Sequence, residues 1–158
     1  MAGDGIVLVP TLSTFHDLAD RFAAEFAPAL VAQAERQREE AYATLIAAHD
    51  AGVTLALGFD SGPPGANAQE LMRMIDGGLS AAEAIGAATT GSAQALGLAD
   101  RGTIEVGKVA DLLVAGGDPL EEPGLLCDVN RIWLVVRAGV LVAGPATLGE
   151  PMVSLART

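Results

Sequence analysis

The chain has 158 residues, 51% hydrophobic and 18% charged, with 20 acidic against 9 basic side chains, a formal net charge of −11 and a mean hydropathy of +0.40. This length suits one domain, and a single lysine (Lys108) among so few cations argues against a partner tracked through phosphates, whether nucleic acid or an anionic membrane surface. No apolar run approaches the ~20 residues of a spanning helix, the lone Cys127 excludes an intrachain disulfide and a thiolate zinc site, and the first residues lack the features of a secretory signal, so a reducing, cytoplasmic setting is expected.

Ile6-Val7-Leu8-Val9 is short, apolar on both faces and β-branched, which predicts a strand buried on two sides as in a parallel sheet. Phe15, Leu18, Ala19, Phe22 and Phe26 then recur at helical spacing, predicting a first helix that runs to about Pro28. Leu30, Val31, Ala34, Tyr42, Leu45 and Ile46 continue a helical pattern, and Gly52 is placed to end it in a left-handed conformation. A second buried strand is predicted over residues 53–60, stopped by Ser61-Gly62-Pro63-Pro64-Gly65. Strand, helices and strand make a βαβ unit with a parallel crossover.

Asn67 with Glu70, and Ser80 with Glu83, carry the spacing of a capping box at two helix starts. The second of these helices is expected to bury Ile85, Ala88 and Leu96 and to close at Gly97. Beyond Gly97 the period changes to 2, which predicts short strands at residues 103–106, 110–115, 131–137 and 140–142, joined by Gly107-Lys108, Gly116-Gly117-Asp118-Pro119 and Ala138-Gly139. The last third therefore reads as a small antiparallel β-module, followed by a tail without a firm pattern.

Taken in order, these segments resemble the metal-dependent amidohydrolase superfamily, in its imidazolonepropionase-like and Xaa-Pro-dipeptidase-like branch. Val7-Leu8-Val9-Pro10-Thr11-Leu12 is similar to the seventh barrel strand of that family, and residues 52–62 to the eighth, where Gly58-Phe59-Asp60 stands for the usual Gly-Thr-Asp. Residues 78–98 resemble the last barrel helices, and residues 102–120 the return into a small β-sandwich. The resemblance covers roughly residues 6–143. It implies an α/β fold consisting of the last βα units, strands 7 and 8, of a TIM-like (β/α)8 metallo-hydrolase barrel plus part of a β-sandwich module. Residues 1–98 would be the barrel quarter, 99–144 the β-module and 145–158 a tail.

In that family the active site lies at the C-terminal ends of the strands, and the residue matching Asp60 binds a divalent metal, usually zinc, and deprotonates the water it activates. The resemblance thus implies Asp60 as catalytic base and metal ligand. Read without it, an Asp before Ser-Gly-Pro-Pro-Gly is a turn or capping residue. His16 follows the seventh strand and so shares an end with Asp60, either as a pocket wall or as a solvent-facing first-turn residue. Phe59, an aromatic beside the ligand, is the other candidate substrate wall. His49, about 20 Å from Asp60 along the strand at ~3.3 Å per residue, belongs to the opposite end. Cys127 is expected to be a small buried hydrophobe, Asp111 and Asp118 structural acids of the module, and Met72 and Met74 core.

The family's other metal ligands belong to earlier strands that this sequence does not contain, so the isolated chain is expected to be inactive. Two parallel strands meant for burial would also leave apolar faces uncovered, which implies an N-terminal barrel portion, self-association, or a truncated reading frame. The reading is a C-terminal portion of an amidohydrolase that cleaves a C–N bond in a small-molecule amide, dipeptide or cyclic amide. The alternative is a non-catalytic structural or interaction module derived from that fold.

Overall fold

In the computed structural model, which describes Gly3, residues 5–62 and residues 65–144, Val7–Leu8 (β1) and Thr54–Leu55 (β2) form a two-stranded parallel sheet. Val7 pairs with Thr54 and Leu8 with Leu55, and the N–H of Ala56 extends the ladder to the Leu8 carbonyl at 2.9 Å. The order is the expected one, but both strands are shorter than their apolar runs. A ladder needs a neighbour, and among the described residues each strand has one only. Ile6 and Val9 consequently remain 46% and 43% exposed, so the two-sided burial expected of this run is not reached.

The expected first helix is broken into three pieces: α1 (Ser13–His16), a π-helical turn (Asp17–Arg21) and a 3-10 turn (Ala23–Glu25). At the π turn the Phe22 N–H reaches back five residues to the Asp17 carbonyl at 2.8 Å. That wider spacing shifts the register, so Ala19 is buried and Phe26 is exposed. The long helix α2 (Pro28–Asp50) begins with proline in its first turn, where a missing N–H costs nothing, and buries Ala34 and Leu45. It ends as predicted: Gly52 has φ +69°, its N–H bonds the His49 carbonyl at 2.9 Å, and the Val53 N–H bonds Ala48 at 2.9 Å. This double bond is a Schellman motif.

Helices α3 (Ala68–Asp76) and α4 (Ala81–Gly86) follow, then a π-helical turn (Ala87–Gly91) and α5 (Ser92–Ala95). The capping box at Ser80 and Glu83 forms, with the Ser80 N–H donating to the Glu83 carboxylate at 2.8 Å. The one expected at Asn67 and Glu70 does not. Asn67 Oδ1 instead accepts the Gly65 N–H at 3.2 Å, and the Glu70 carboxylate, 0% exposed, accepts the N–H groups of Leu12 at 2.6 Å and Ser13 at 2.8 Å. Two long-range donors outcompete a local one because Glu70 lies on the buried face of α3, beside Leu71 and Met74.

Leu12, Leu45, Leu71, Met74, Leu79, Ala84 and Ala87 make the core cluster, with Tyr42, Ile46, Leu55, Met72 and Ile85 packed around it. The methionine pair is thus core, as its spacing suggests. Gly91 lets the second π turn lie on β2, since a Cβ there would stand 1.9 Å from the Leu55 carbonyl oxygen. Leu96, expected inside, is 72% exposed, because it falls past the last turn of α5 as its cap while Ala93 takes the inward place.

The β-module consists of β3 (Leu112–Ala115), β4 (Ile132–Arg137) and β5 (Val140–Ala143) in the order β3-β4-β5, antiparallel throughout. Ala138 and Gly139 both have positive φ, the signature of a two-residue type I′ hairpin. Asp111 ties the module together, accepting the Ala138 N–H at 2.8 Å and pairing with Arg101 at 2.9 Å. Asp118 accepts the Leu120 N–H at 2.8 Å in a local turn. Residues 103–106, expected to be a strand, form no ladder among the described residues, and Ile104 is 89% exposed. Cys127 is exposed and not buried; in the 3-10 turn Pro123–Cys127 the residue that faces inward is Leu125. Leu113, Trp133, Val140 and Val142 are each more than half exposed. The expected tail, residues 145–158, lies outside the described residues.

Removing the Glu70 carboxylate leaves two backbone donors buried without acceptors, at roughly 1–3 kcal/mol each. Glu70→Ala is therefore expected to lower the unfolding free energy by about 3 kcal/mol, and Glu70→Gln, which keeps one acceptor, by about half as much. Urea midpoints at constant m-value report both, and a loss below about 1 kcal/mol in Glu70→Ala contradicts this role.

Candidate functional site

β1 and β2 run in parallel, so the chain leaves both at the same end, through Pro10-Thr11-Leu12 and through residues 56–60. Thr11 sits at φ +46°, a region a β-branched residue adopts only under constraint. The constraint is Glu70, which grips the next two N–H groups. From α1, the Thr14 hydroxyl then donates to the Asp60 carbonyl at 2.5 Å, and one residue on, the Ser61 hydroxyl donates to the Asp17 carboxylate. The backbone at Asp60 is thereby fixed while its side chain is exposed and, among the described residues, accepts no hydrogen bond. Such a carboxylate has its lone pairs available to a proton or to one coordination position of a cation.

His16, the last residue of α1, lies at this same end. Its Nε2 meets the Tyr42 hydroxyl at 2.8 Å and its Nδ1 meets Asp20 at 3.4 Å, while Asp20 is held by Arg38 at 2.9 and 3.1 Å. Burial, followed by the charges of Arg73 and Arg38, pushes the His16 pKa below its usual 6.5 against the pull of Asp20. Burial also raises the Tyr42 hydroxyl above its usual value. His16 lines an open cavity of about 420 Å³ together with Asp17, Asp20, Arg21, Gln69 and Arg73. Phe59 does not line it; its ring lies against the Gly62 turn, where a Cβ would stand 3.5 Å from Cζ.

His49 is at the opposite end of β2, bonded to Glu83 at 2.9 Å. The hydrogen bond that Glu83 accepts from His49, with a second accepted by Asp50, raises the His49 pKa, and the bonds that Ser80 donates, with His49 behind them, lower Glu83 to about 2. Asp111, Asp118 and Cys127 belong to the β-module. Among the described residues no three His, Cys, Asp or Glu side chains gather as a metal-holding set. Asp60 fits one ligand position of a divalent ion, and these residues do not complete the set. Sequence reasoning gave Glu70 only a local capping role and gave Asp17 and Arg73 none at the site. Glu70 had a visible signal, a charge sharing the apolar stripe of Leu71 and Met74.

A sequence model of the amidohydrolase family matches residues 1–144. Ochratoxinase of Aspergillus niger is 35% identical over 98 residues, which cover 60% of this chain and 20% of the relative. Among solved structures, a Xaa-Pro dipeptidase with methionine bound in its active site superposes with a TM-score of 0.79 at 30% identity, over 91% of this chain and 36% of that one. Aspergillus niger ochratoxinase superposes at 0.80 and 28% identity, over 90% and 33%. The chain therefore spans about a fifth of the length of the curated relatives it matches and about a third of these structures.

The chain has only two histidines, and their environments push them apart. In an imidazole NMR titration His16 is expected to titrate below 6.5 and His49 above it; one shared midpoint contradicts the arrangement. The linkage signs are opposite. His16 costs stability as pH falls below 6.5, since the unfolded chain takes the proton first, whereas His49 contributes stability that is present below 6.5 and lost as pH rises through its raised value.

Proposed function

The chain belongs to the amidohydrolase family, and on that premise we propose that it carries the catalytic base of a hydrolase acting on a C–N bond of a small amide or dipeptide. In this reading β1 and β2 are strands 7 and 8 of a (β/α)8 barrel, and β3–β5 are part of the adjoining β-sandwich. The observation that carries it is Asp60, a carboxylate free of hydrogen bonds among the described residues on a backbone pinned by Thr14, at the end of the sheet where barrel enzymes bind substrate. Asp60 takes a proton from the attacking water as the new C–O bond forms, and returns it to the nitrogen as the C–N bond breaks. His16 stands as a wall of the cavity at this end, and Phe59, whose ring lies against the Gly62 turn, flanks the loop that bears Asp60.

A divalent metal, zinc by family resemblance, would supply a water acidic enough to be deprotonated near neutrality. Asp60 would be one of its ligands, with the rest from further barrel strands. The one-sided ladder of β1 and β2, and the exposure of Ile6 and Val9, support a need for such neighbours, in the same polypeptide or another. The free thiol of Cys127 suits a reducing cytoplasm. Among the described residues no helix is long and apolar enough to cross a membrane. A second reading, an assembly module without chemistry, is favoured by the exposed apolar side chains of the β-module, Leu113, Trp133, Val140 and Val142.

The two readings separate in an assembly of this chain with the remaining barrel strands. Stoichiometric zinc and amide hydrolysis are expected there, and Asp60→Asn is expected to cut kcat by about 10²–10⁴. Undiminished turnover in Asp60→Asn overturns the assignment of the base, and an assembly that forms without zinc or turnover selects the second reading.

A further inference from the structure

The chain has nine basic residues against a net charge of −11, yet three of them, Arg21, Arg38 and Arg73, converge around His16. We propose that the cavity between the Asp17–Arg21 turn and α3 is a carboxylate-binding subsite, where the guanidinium groups of Arg21 and Arg73 receive the paired oxygens of a small carboxylic acid.

The acids in the wall are already engaged. Asp20 holds Arg38 and His16, and Asp17 accepts the Ser61 hydroxyl. The cations are less so. Arg21 pairs with Asp17 only at 3.9 Å, beyond hydrogen-bond distance, rests its guanidinium 5.1 Å from the Phe22 ring centre, and among the described residues donates no hydrogen bond. Arg73 donates a single bond, to Asp76 at 3.3 Å. A guanidinium carries five donors in a planar fork that matches a carboxylate, so both arginines have most of their donors unspent. The positive field of Arg73 crosses the cavity, since it is one cause of the depressed pKa of His16 on the far wall. Burial and the charges of Arg73 and Arg38 favour the neutral form of His16, and the Gln69 carboxamide adds no charge to the lining.

Size and position fit a molecule larger than a lone ion. About 420 Å³ is within the range of small-ligand sites. A Cβ built on Gly62, two residues past Asp60, would stand 3.3 Å from Arg21 Nη1 and 3.4 Å from Asp17 Oδ2, so the cavity adjoins the loop that bears Asp60. Resting on the reading of Asp60 as the base, a carboxylate docked here would lie beside the bond to be cleaved.

The test is a titration of the full chain with N-acetylglycine and with N-acetylglycinamide, followed on the arginine Nε–Hε signals. The acid is expected to bind about tenfold more tightly than the amide, the equivalent of ~1.4 kcal/mol, and to move the signals of Arg21 and Arg73. Arg21→Met and Arg73→Met are each expected to abolish that preference, while Arg36→Met on the exposed face of α2 keeps it. Gln69→Glu places a carboxylate in the cavity at an exposed position of α3 and is expected to repel the acid selectively, which tests the site should either arginine variant fail to fold. Equal affinity for acid and amide, or indifference to the arginine and Gln69 variants, overturns the site and leaves the assignment of Asp60 standing. Asp60→Asn is expected to retain acid binding; hydrolysis that survives in that variant once it is assembled with the remaining barrel strands overturns the base and leaves the site standing.

Discussion

A single buried carboxylate organises this end of the molecule. Glu70 takes the N–H groups of Leu12 and Ser13, two donors that a helix start leaves without intrahelical partners. That grip holds Thr11 in its left-handed conformation and turns the chain from β1 into α1. With α1 so placed, Thr14 reaches the Asp60 carbonyl and His16 reaches Tyr42 on α2. The same helix that buries Glu70 presents Gln69 and Arg73 to the cavity on its other side. One interaction thus couples the two strand ends, the candidate base and the cation pair.

Behind that end, small residues set the distances. Ala84, Ala87 and Gly91 allow the segment after Ser80 to lie against β2 closely enough that the Ala87 carbonyl accepts the Leu57 N–H at 3.2 Å. Ser92 adds a side-chain contact to the same backbone, accepting the Leu57 N–H at 3.2 Å. The strand pair is therefore supported by helix on one side, while its outer edges carry the exposed Ile6 and Val9. The β-module repeats the pattern at a distance, closed inside by Val136 and Leu125 and apolar outside at Trp133, Val140 and Val142. High hydrophobicity in this chain is not matched by complete burial, and the surplus lies at strand edges and on one small sheet.

Much of this was legible in the sequence. Apolar runs bounded by Pro and Gly marked both parallel strands and the β4–β5 hairpin, and the ordered set of motifs pointed to the amidohydrolase family before any geometry. The misreadings share a cause. Residues 103–106 have strand periodicity but no neighbouring ladder, and the run from Phe15 to Phe26 has helical periodicity but is interrupted by a π turn. In each case the local pattern was right about the side-chain spacing and uninformative about the backbone partner that decides the outcome.

The sequence by itself determined what contacts within about five residues can decide. These are the Schellman stop at Gly52, the capping box at Ser80 and the positive-φ turn at Ala138-Gly139. Tertiary structure decided where Glu70 would spend its charge, on donors 57 and 58 residues away, and that His16, Arg21 and Arg73 would face one cavity. The reason is physical. A local hydrogen bond is specified by spacing along the chain, whereas the partner of a buried charge is whichever unsatisfied donor the packed helices bring to it.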